Sequence, residues 1–228
     1  MKLKIILVFA FIIAQSIVAQ NSSSKNKSSN LIIKAGIAYG IRLGKTPDNF
    51  SASQKQTIEN IKKGFVYDLG LYYRVSESAA IGFKYNAYNA SSPPGRLSFD
   101  ANETTIVGQN DVISFYGASY LLDQRSSNSK HEGNVELAAG YLDYRSATQS
   151  FNNSQAYGST FGIIGSFSYK YRVLEKLSLG PNISFVGGTI KEFEVTADNA
   201  ASRTVKLSKE SYESLWRIDL GFEVIYRL

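Results

Sequence analysis

The stretch Ser214-Leu-Trp-Arg-Ile-Asp-Leu-Gly-Phe-Glu-Val-Ile-Tyr-Arg-Leu228 decides the fold. Taken at every second residue, Trp216, Ile218, Leu220, Phe222, Val224, Tyr226 and Leu228 share one face, and Leu215, Arg217, Asp219, Gly221, Glu223, Ile225 and Arg227 share the other. Successive side chains of a strand point to opposite sides, so strict alternation marks a strand between two environments. A helix would scatter Arg217, Asp219, Glu223 and Arg227 around its circumference. Which face looks inward has to be read from the rest of the chain.

The same signature recurs upstream. In Leu31–Leu43 the odd positions are apolar, whereas Lys34, Gly36, Ala38, Gly40 and Arg42 share the other face with Ile32. Phe65–Val75 sets Phe65, Tyr67, Leu69, Leu71, Tyr73 and Val75 against Val66, Asp68, Gly70, Tyr72 and Arg74. Ala79–Tyr88 follows after a tight turn at Ser76–Ser78. In Asp111–Leu122 two phases compete: Val112, Tyr116, Ala118, Tyr120 and Leu122 against Ile113, Phe115 and Leu121, which predicts a bulge midway. Val135–Arg145 is the fifth strand. Tyr157–Val173 alternates cleanly, and a tight turn at Leu174–Lys176 leads to a seventh strand, Leu177–Val195. Together with the C-terminal stretch, this predicts about eight antiparallel strands connected up-and-down.

The connections are uneven. Those between strands 1–2, 3–4, 5–6 and 7–8 are the longer ones. Gly44–Lys63 is polar and contains Ser53-Gln-Lys-Gln56, the pattern of a helix-starting capping box, with Ile58 and Ile61 at helical spacing and Gly64 as a stop; one short helix is expected there. Asn89–Gln109, with Pro93-Pro94-Gly95, and Ser146–Ala156 read as polar loops. At the other end the turns are short, except for Asp123–Asn134.

Composition agrees with an all-β chain: among 228 residues there are 15 Tyr, 13 Phe and 18 Gly but only 4 Pro. There is no cysteine, which removes disulfides and thiolate metal sites, and a single histidine removes most zinc sites. No metal site and no cofactor are expected. Leaving out Lys2 and Lys4, 23 basic residues stand against 19 acidic ones, a surplus of 4 that forms no stripe. That gives nucleic-acid binding no support.

Met1–Lys4 is a basic head, Ile5–Ala14 an apolar run too short to span a membrane, and Ser16–Ala19 a small-residue tail. This is the layout of a secretory signal peptide, residues 1–19, followed by a flexible polar tail, 20–30, and a barrel domain, 31–228.

Up-and-down barrels come in two kinds, with the apolar face inside or outside. The polar face decides. It is crowded with Gly36, Gly40, Gly70, Gly82, Gly158, Gly162 and Gly180, which suit a narrow lumen rather than a solvated skin. The apolar face carries the aromatics Tyr39, Tyr67, Tyr73, Phe83, Tyr85, Phe167, Tyr169, Phe185, Trp216, Phe222 and Tyr226, several near strand ends, as interfacial girdles require. A closed barrel also satisfies every backbone group without water. The expected fold is therefore a closed antiparallel up-and-down transmembrane β-barrel with these aromatics facing lipid.

The mature chain, Leu31–Leu228, resembles the small eight-stranded outer-membrane barrels of Gram-negative bacteria, the OmpA/OmpX-type and porin-like families. In such families the last strand ends in an aromatic and guides insertion; Trp216, Phe222, Val224 and Tyr226 fit, while the final residue here is Leu228. No segment remains for a separate peptidoglycan-binding domain, so the chain is expected to be barrel only, and the resemblance implies a monomer located in the cell outer membrane.

The polar constellation expected in the lumen is Lys34, Arg42, Asp68, Arg74, Lys84, Glu136, Lys170, Arg172, Arg217, Asp219, Glu223 and Arg227. Buried charges need partners, so a network that fills the lumen is expected, with Lys34 near Glu223. A selective ion path is the alternative. His131, in Lys130-His-Glu132, reads as a solvated turn residue with no nucleophile and acid around it, and no catalytic residue is assigned. Lys191–Val195 and Thr204–Leu207 are expected to pair as a protruding hairpin; an ordinary solvated hairpin is the first reading of it, and an edge that takes a partner by strand addition is the alternative. The functional expectation is a structural or surface-interaction role through the extracellular loops, without enzyme activity. A narrow porin-like channel and an accessory component of a secretion apparatus are the alternatives. The expected partners are outer-membrane lipid and a protein at the loops.

Overall fold

The computed structural model describes residues 30–44, 46, 52–100, 103–125, 130–149, 153–198 and 201–228; the expected signal peptide and all but the last residue of the tail lie outside them. The elements are β1 (Leu31–Arg42), α1 (Ala52–Ile61), β2 (Lys63–Arg74), β3 (Ala79–Asp100), β4 (Glu103–Arg125), β5 (His131–Gln149), β6 (Ser154–Leu174), β7 (Leu177–Gly187), β8 (Thr189–Ile190), β9 (Glu192–Ala197), β10 (Arg203–Lys206), β11 (Glu213–Ser214) and β12 (Arg217–Arg227).

β1 to β7 and β12 close into an eight-stranded antiparallel barrel: each pairs with the next, β12 pairs with β7, and β1 pairs with β12. At the seam, Ile32 lies opposite Arg227 and Arg42 opposite Arg217. The wall is inside-out relative to a soluble carrier. In β2 every residue of the set Phe65, Tyr67, Leu69, Leu71 and Tyr73 is exposed, whereas Val66, Asp68, Gly70, Tyr72 and Arg74 are buried. Exposed Ile37, Leu71, Phe83, Ile163, Phe167, Leu220 and Phe222 continue this apolar belt around the barrel. Apolar surface of this extent is unfavourable in water and favourable in hydrocarbon, and a closed ladder leaves no unpaired edge there. Among the described residues no helix is long and apolar enough to cross a membrane; the crossing is made by strands.

Four expectations about the strands need correction. First, β4 has no midway bulge. Its pairing with β3 from Leu122 to Gln109 and with β5 from Arg125 to Gly108 is continuous, and Asp111, Ile113, Phe115, Gly117, Ser119, Leu121 and Asp123 all point inward. Two phases compete in the sequence because the lumen is itself apolar at the level of Ile113 and Phe115. Second, Asn89–Gln109 is not a loop. β3 and β4 run on as a hairpin to Asp100 and Glu103, and an irregularity between Ser92 and Gly95 takes up the two prolines. Proline removes a ladder donor, and a bulge is where a strand tolerates that loss.

Third, the β4–β5 link shrinks to residues 126–130, so it no longer breaks the short-turn pattern. Fourth, the seventh strand stops at Gly187. Beyond Gly188, β8 pairs with β11, while β9 pairs with both β6 and β10. Phe193 therefore leaves the outward phase and packs on the apolar interior.

The helix forms where expected, but Gly64 does not end it. α1 closes at Ile61, and Gly64 already sits in the β2 ladder opposite Gly40. A Cβ at Gly64 would collide with the Asn89 carbonyl and the Tyr88 ring, so the residue serves close packing. The Tyr88 hydroxyl donates to the Ile61 carbonyl at 2.7 Å, and Asn60 Nδ2 donates to Ser92 Oγ at 3.2 Å, which ties the helix to β3 at the long-loop end of the barrel.

Candidate functional site

The lumen is filled in tiers, and the register explains each one. At mid-height, inward positions of β1, β2, β3, β5, β6 and β12 supply Lys34, Asp68, Lys84, Glu136, Lys170 and Glu223, all buried. Glu136 accepts from Lys34, from Lys84 Nζ at 3.0 Å, from Tyr72 Oη at 2.5 Å, from Ser119 Oγ at 2.6 Å and from Ser166 Oγ at 3.1 Å. Lys84 also reaches Asp68 at 2.7 Å, and Glu223 takes Lys170 and, at 3.2 Å, Lys34. Three ammonium groups meet three carboxylates, so this tier is neutral. Gly70 makes room for the Tyr72 hydroxyl, where a Cβ would clash.

Towards the long-loop end, Arg217 Nε donates to Asp219 Oδ1 at 2.9 Å, another of its nitrogens donates to Asn86, and its guanidinium lies 5.2 Å from the Tyr88 ring centre. Above this tier the lumen turns apolar. Tyr88, Ile113, Phe115, Leu142, Tyr144, Ile164, Val186, Ile190 and Leu215 form a packed plug that Ile61 of α1 joins from the loop side. Arg42 runs along it, with its guanidinium 5.6 Å from the Tyr144 ring, and pairs with Asp111 at 3.1 Å and with Glu213.

At the short-turn end Arg74, Arg172 and Arg227 meet Asp123, Arg125 and Glu132. Arg74 Nη2 donates to Asp123 Oδ2 at 2.5 Å, Arg227 Nη2 donates to Asp123 Oδ1 at 2.9 Å and to Glu132 Oε2 at 2.7 Å, and Arg172 Nε donates to Glu132 Oε1 at 2.8 Å.

All twelve residues expected in the lumen lie on the inward phase, but they form separate tiers rather than one network. Sequence reasoning misses Asp123, Arg125, Glu132 and Glu213, which fall outside the strands it draws, and Asp111, which opens the fourth strand where the phase is ambiguous. It also misses the plug. The available signal was that the inward phases of four strands turn apolar together, at Tyr88, Ile113, Leu142 and Ile164. The eleven outward aromatics lie on the outer face, Tyr85 half-buried in a stack with Tyr116 whose ring centres are 5.8 Å apart. On the same face Asp143 accepts from Tyr116 at 2.8 Å and from Tyr157 at 3.1 Å.

His131 is not a solvated turn residue. It starts β5, shares a hydrogen bond between Nδ1 and the Tyr169 hydroxyl, stacks on that ring at 5.7 Å and meets Tyr171 edge-on at 5.6 Å. Two tyrosines at the interface hold it on the outer wall, facing away from the lumen carboxylates.

The expected hairpin forms, with Phe193 opposite Val205 and Glu192 opposite Lys206. It does not stand alone: Ala156 of β6 pairs with Val195, so the hairpin widens the barrel wall. The order β10-β9-β6-β5-β4-β3 makes a tall wall on one side of the rim, while β1, β2, β7 and β12 end lower on the other. The roughly ten residues of β3 beyond Ala90 add about 30 Å of strand length at some 3.3 Å per residue.

These features define a class: the small transmembrane β-barrels of outer-membrane type. No protein-family model matches the sequence, and no curated protein matches it. Solved structures do share the fold. The chain is similar to the outer membrane protein OprG of Pseudomonas aeruginosa (TM-score 0.53, 11% identity, 89% of this chain and 98% of that one) and to the outer membrane protease OmpT of Escherichia coli (TM-score 0.50, 7% identity, 92% and 100%). Neisserial surface protein A aligns with a TM-score of 0.47 at 14% identity, covering 89% of this chain and 100% of that one.

Proposed function

We propose that this protein is a resident of the cell outer membrane whose sealed barrel anchors a surface for interaction with an extracellular partner. The long-loop end then faces outward and the short turns face the periplasm. The observation that carries this reading is the tall wall ending in β10, whose second side has no neighbour among the described residues. A strand with one free side offers main-chain donors and acceptors to an incoming extended segment. Arg203 and Lys206 on β10, with Lys209 next to it, make an acidic segment the matching partner. The apolar plug and the paired ions support a barrier in the lumen rather than a solute path. The reading assigns no chemistry to the barrel, since His131 is committed to Tyr169 on the outer wall.

The test replaces residues 191–207 with a tight turn and compares both proteins in nanodiscs. The intact protein is expected to bind extended acidic peptides saturably and the shortened one not at all, with heat-modifiable gel mobility showing that both remain folded. Equal binding by the two proteins would refute the proposal.

A further inference from the structure

We propose that the short-turn mouth of the barrel is a binding site for a divalent oxyanion of the phosphate class. Four inward guanidiniums surround this mouth, and they come from alternate barrel strands: Arg74 on β2, Arg125 on β4, Arg172 on β6 and Arg227 on β12. Among the described residues two inward carboxylates face them, Asp123 and Glu132. Asp123 is shared by three guanidiniums, Arg74 at 2.5 Å, Arg227 at 2.9 Å and Arg125 at 3.4 Å. Glu132 is shared by Arg172 at 2.8 Å and Arg227 at 2.7 Å. The mouth therefore carries a surplus of two positive charges.

The surplus is local. The mid-height tier balances three lysines with three carboxylates, and on the adjoining turns Lys130 and Lys176 cancel Glu77 and Glu175. Charge held out of water calls for a counter-charge, and here the protein supplies only half of it.

The hydrogen bonds are equally lopsided. Four guanidiniums present about 20 N–H donors, and two carboxylates offer about 8 acceptor positions. Asn134 takes one of these, donating to Asp123 Oδ1 at 2.8 Å; among the described residues the Ser178 hydroxyl accepts from Arg227 and the Glu77 carbonyl accepts from Arg74. Arg74 Nε is buried and has no hydrogen-bond partner. A buried donor without an acceptor is costly and points to something missing from the site.

The mouth is also open to a ligand. The side chains of Arg125 and Arg172 are each 23% exposed, whereas those of Arg74 and Arg227 are nearly fully buried. Two forked donors thus reach solvent above a buried pair. A phosphate group supplies the missing charge of two and the acceptors, in the bidentate geometry that arginine favours. The source is either the free anion or the phosphate headgroup of a lipid in the adjoining leaflet.

The test uses the full barrel refolded in zwitterionic detergent at low salt and pH 8, titrated with inorganic phosphate by calorimetry. One saturable site is expected, absent with chloride at matched ionic strength. Arg125→Gln and Arg172→Gln are each expected to weaken binding roughly tenfold, the loss of one charge-assisted hydrogen bond, and together to abolish it. Arg145→Gln, on the outer face of β5, should leave it unchanged. Heat-modifiable mobility checks that each variant is folded. Repeating the titration in nanodiscs separates the sources. If phosphatidic acid lowers the apparent phosphate affinity relative to phosphatidylcholine, the lipid headgroup is the occupant; if affinity is unchanged, the free anion is. No saturable phosphate binding by the wild-type barrel, or undiminished binding by the folded double variant, would overturn the site.

Discussion

At the scale of single residues the lumen works by satisfaction. Glu136 accepts from five side chains, two of them lysines. Glu136→Ala would leave Lys34 with Glu223 and a distant Asp68, and Lys84 with Asp68 alone, in a site closed to water. A loss of about 3–5 kcal/mol is expected, as for other buried pairs broken from one side, read as a lower urea midpoint of folded barrel on gels. Glycines divide by what surrounds them. A Cβ at Gly82 would run into the Leu71 carbonyl and the Tyr72 backbone, whereas one at Gly165 meets only Leu137 Cδ2 at 3.8 Å. Gly82→Ala should cost about 1–3 kcal/mol and Gly165→Ala less than about 0.5 kcal/mol in the same assay. Which glycines are indispensable was not legible in the sequence, because alternation gives the face but not the atoms across the lumen.

At the scale of elements, the strands were legible wherever the two faces differ. β1, β2, β6 and β12 follow from alternation alone, since one side meets hydrocarbon and the other meets glycine and charge. β4 misled because Ile113 and Phe115 put apolar side chains on both faces at once, and two apolar faces erase a period-two signal. The ends of β3, β4 and β5 misled for the opposite reason. Beyond the apolar belt the residues of both phases are mostly polar, so Asn89–Gln109 reads as loop although it is ladder. The pairing of β9 with β6 depends on a turn of the chain at Gly187–Gly188 that no periodicity encodes. Depth along an element is testable. Leu71→Arg, in the middle of the exposed belt, should destabilise the barrel by about 2–4 kcal/mol, and Val75→Arg, at the short-turn rim, by no more than about 1 kcal/mol, measured in lipid vesicles.

At the scale of the whole molecule, a charged middle and a greasy upper half together close the axis. Planar bilayers containing the purified protein are therefore expected to show no steady unitary conductance. Defined channels would mean that the tiers part. Phe115→Ala removes one of the larger side chains of the plug and should cost about 3–5 kcal/mol while leaving the bilayer silent, because the ionic tier below still blocks the way. The candidate site was partly legible at this scale. The inward charges were visible as a set, but their sorting into a neutral tier and a cationic mouth required the register between strands.

The first and last strands lie side by side, and the Leu228 amide donates to the Leu31 carbonyl at 3.0 Å. The ring thus stays unsealed until the final dozen residues are in hand, whatever has assembled before them. Yet nothing ties the opening to that place. A circular permutant, sewn from Leu228 to Leu31 by a short linker and cut between Arg125 and His131, would keep every pairing and move the gap four strands around the wall.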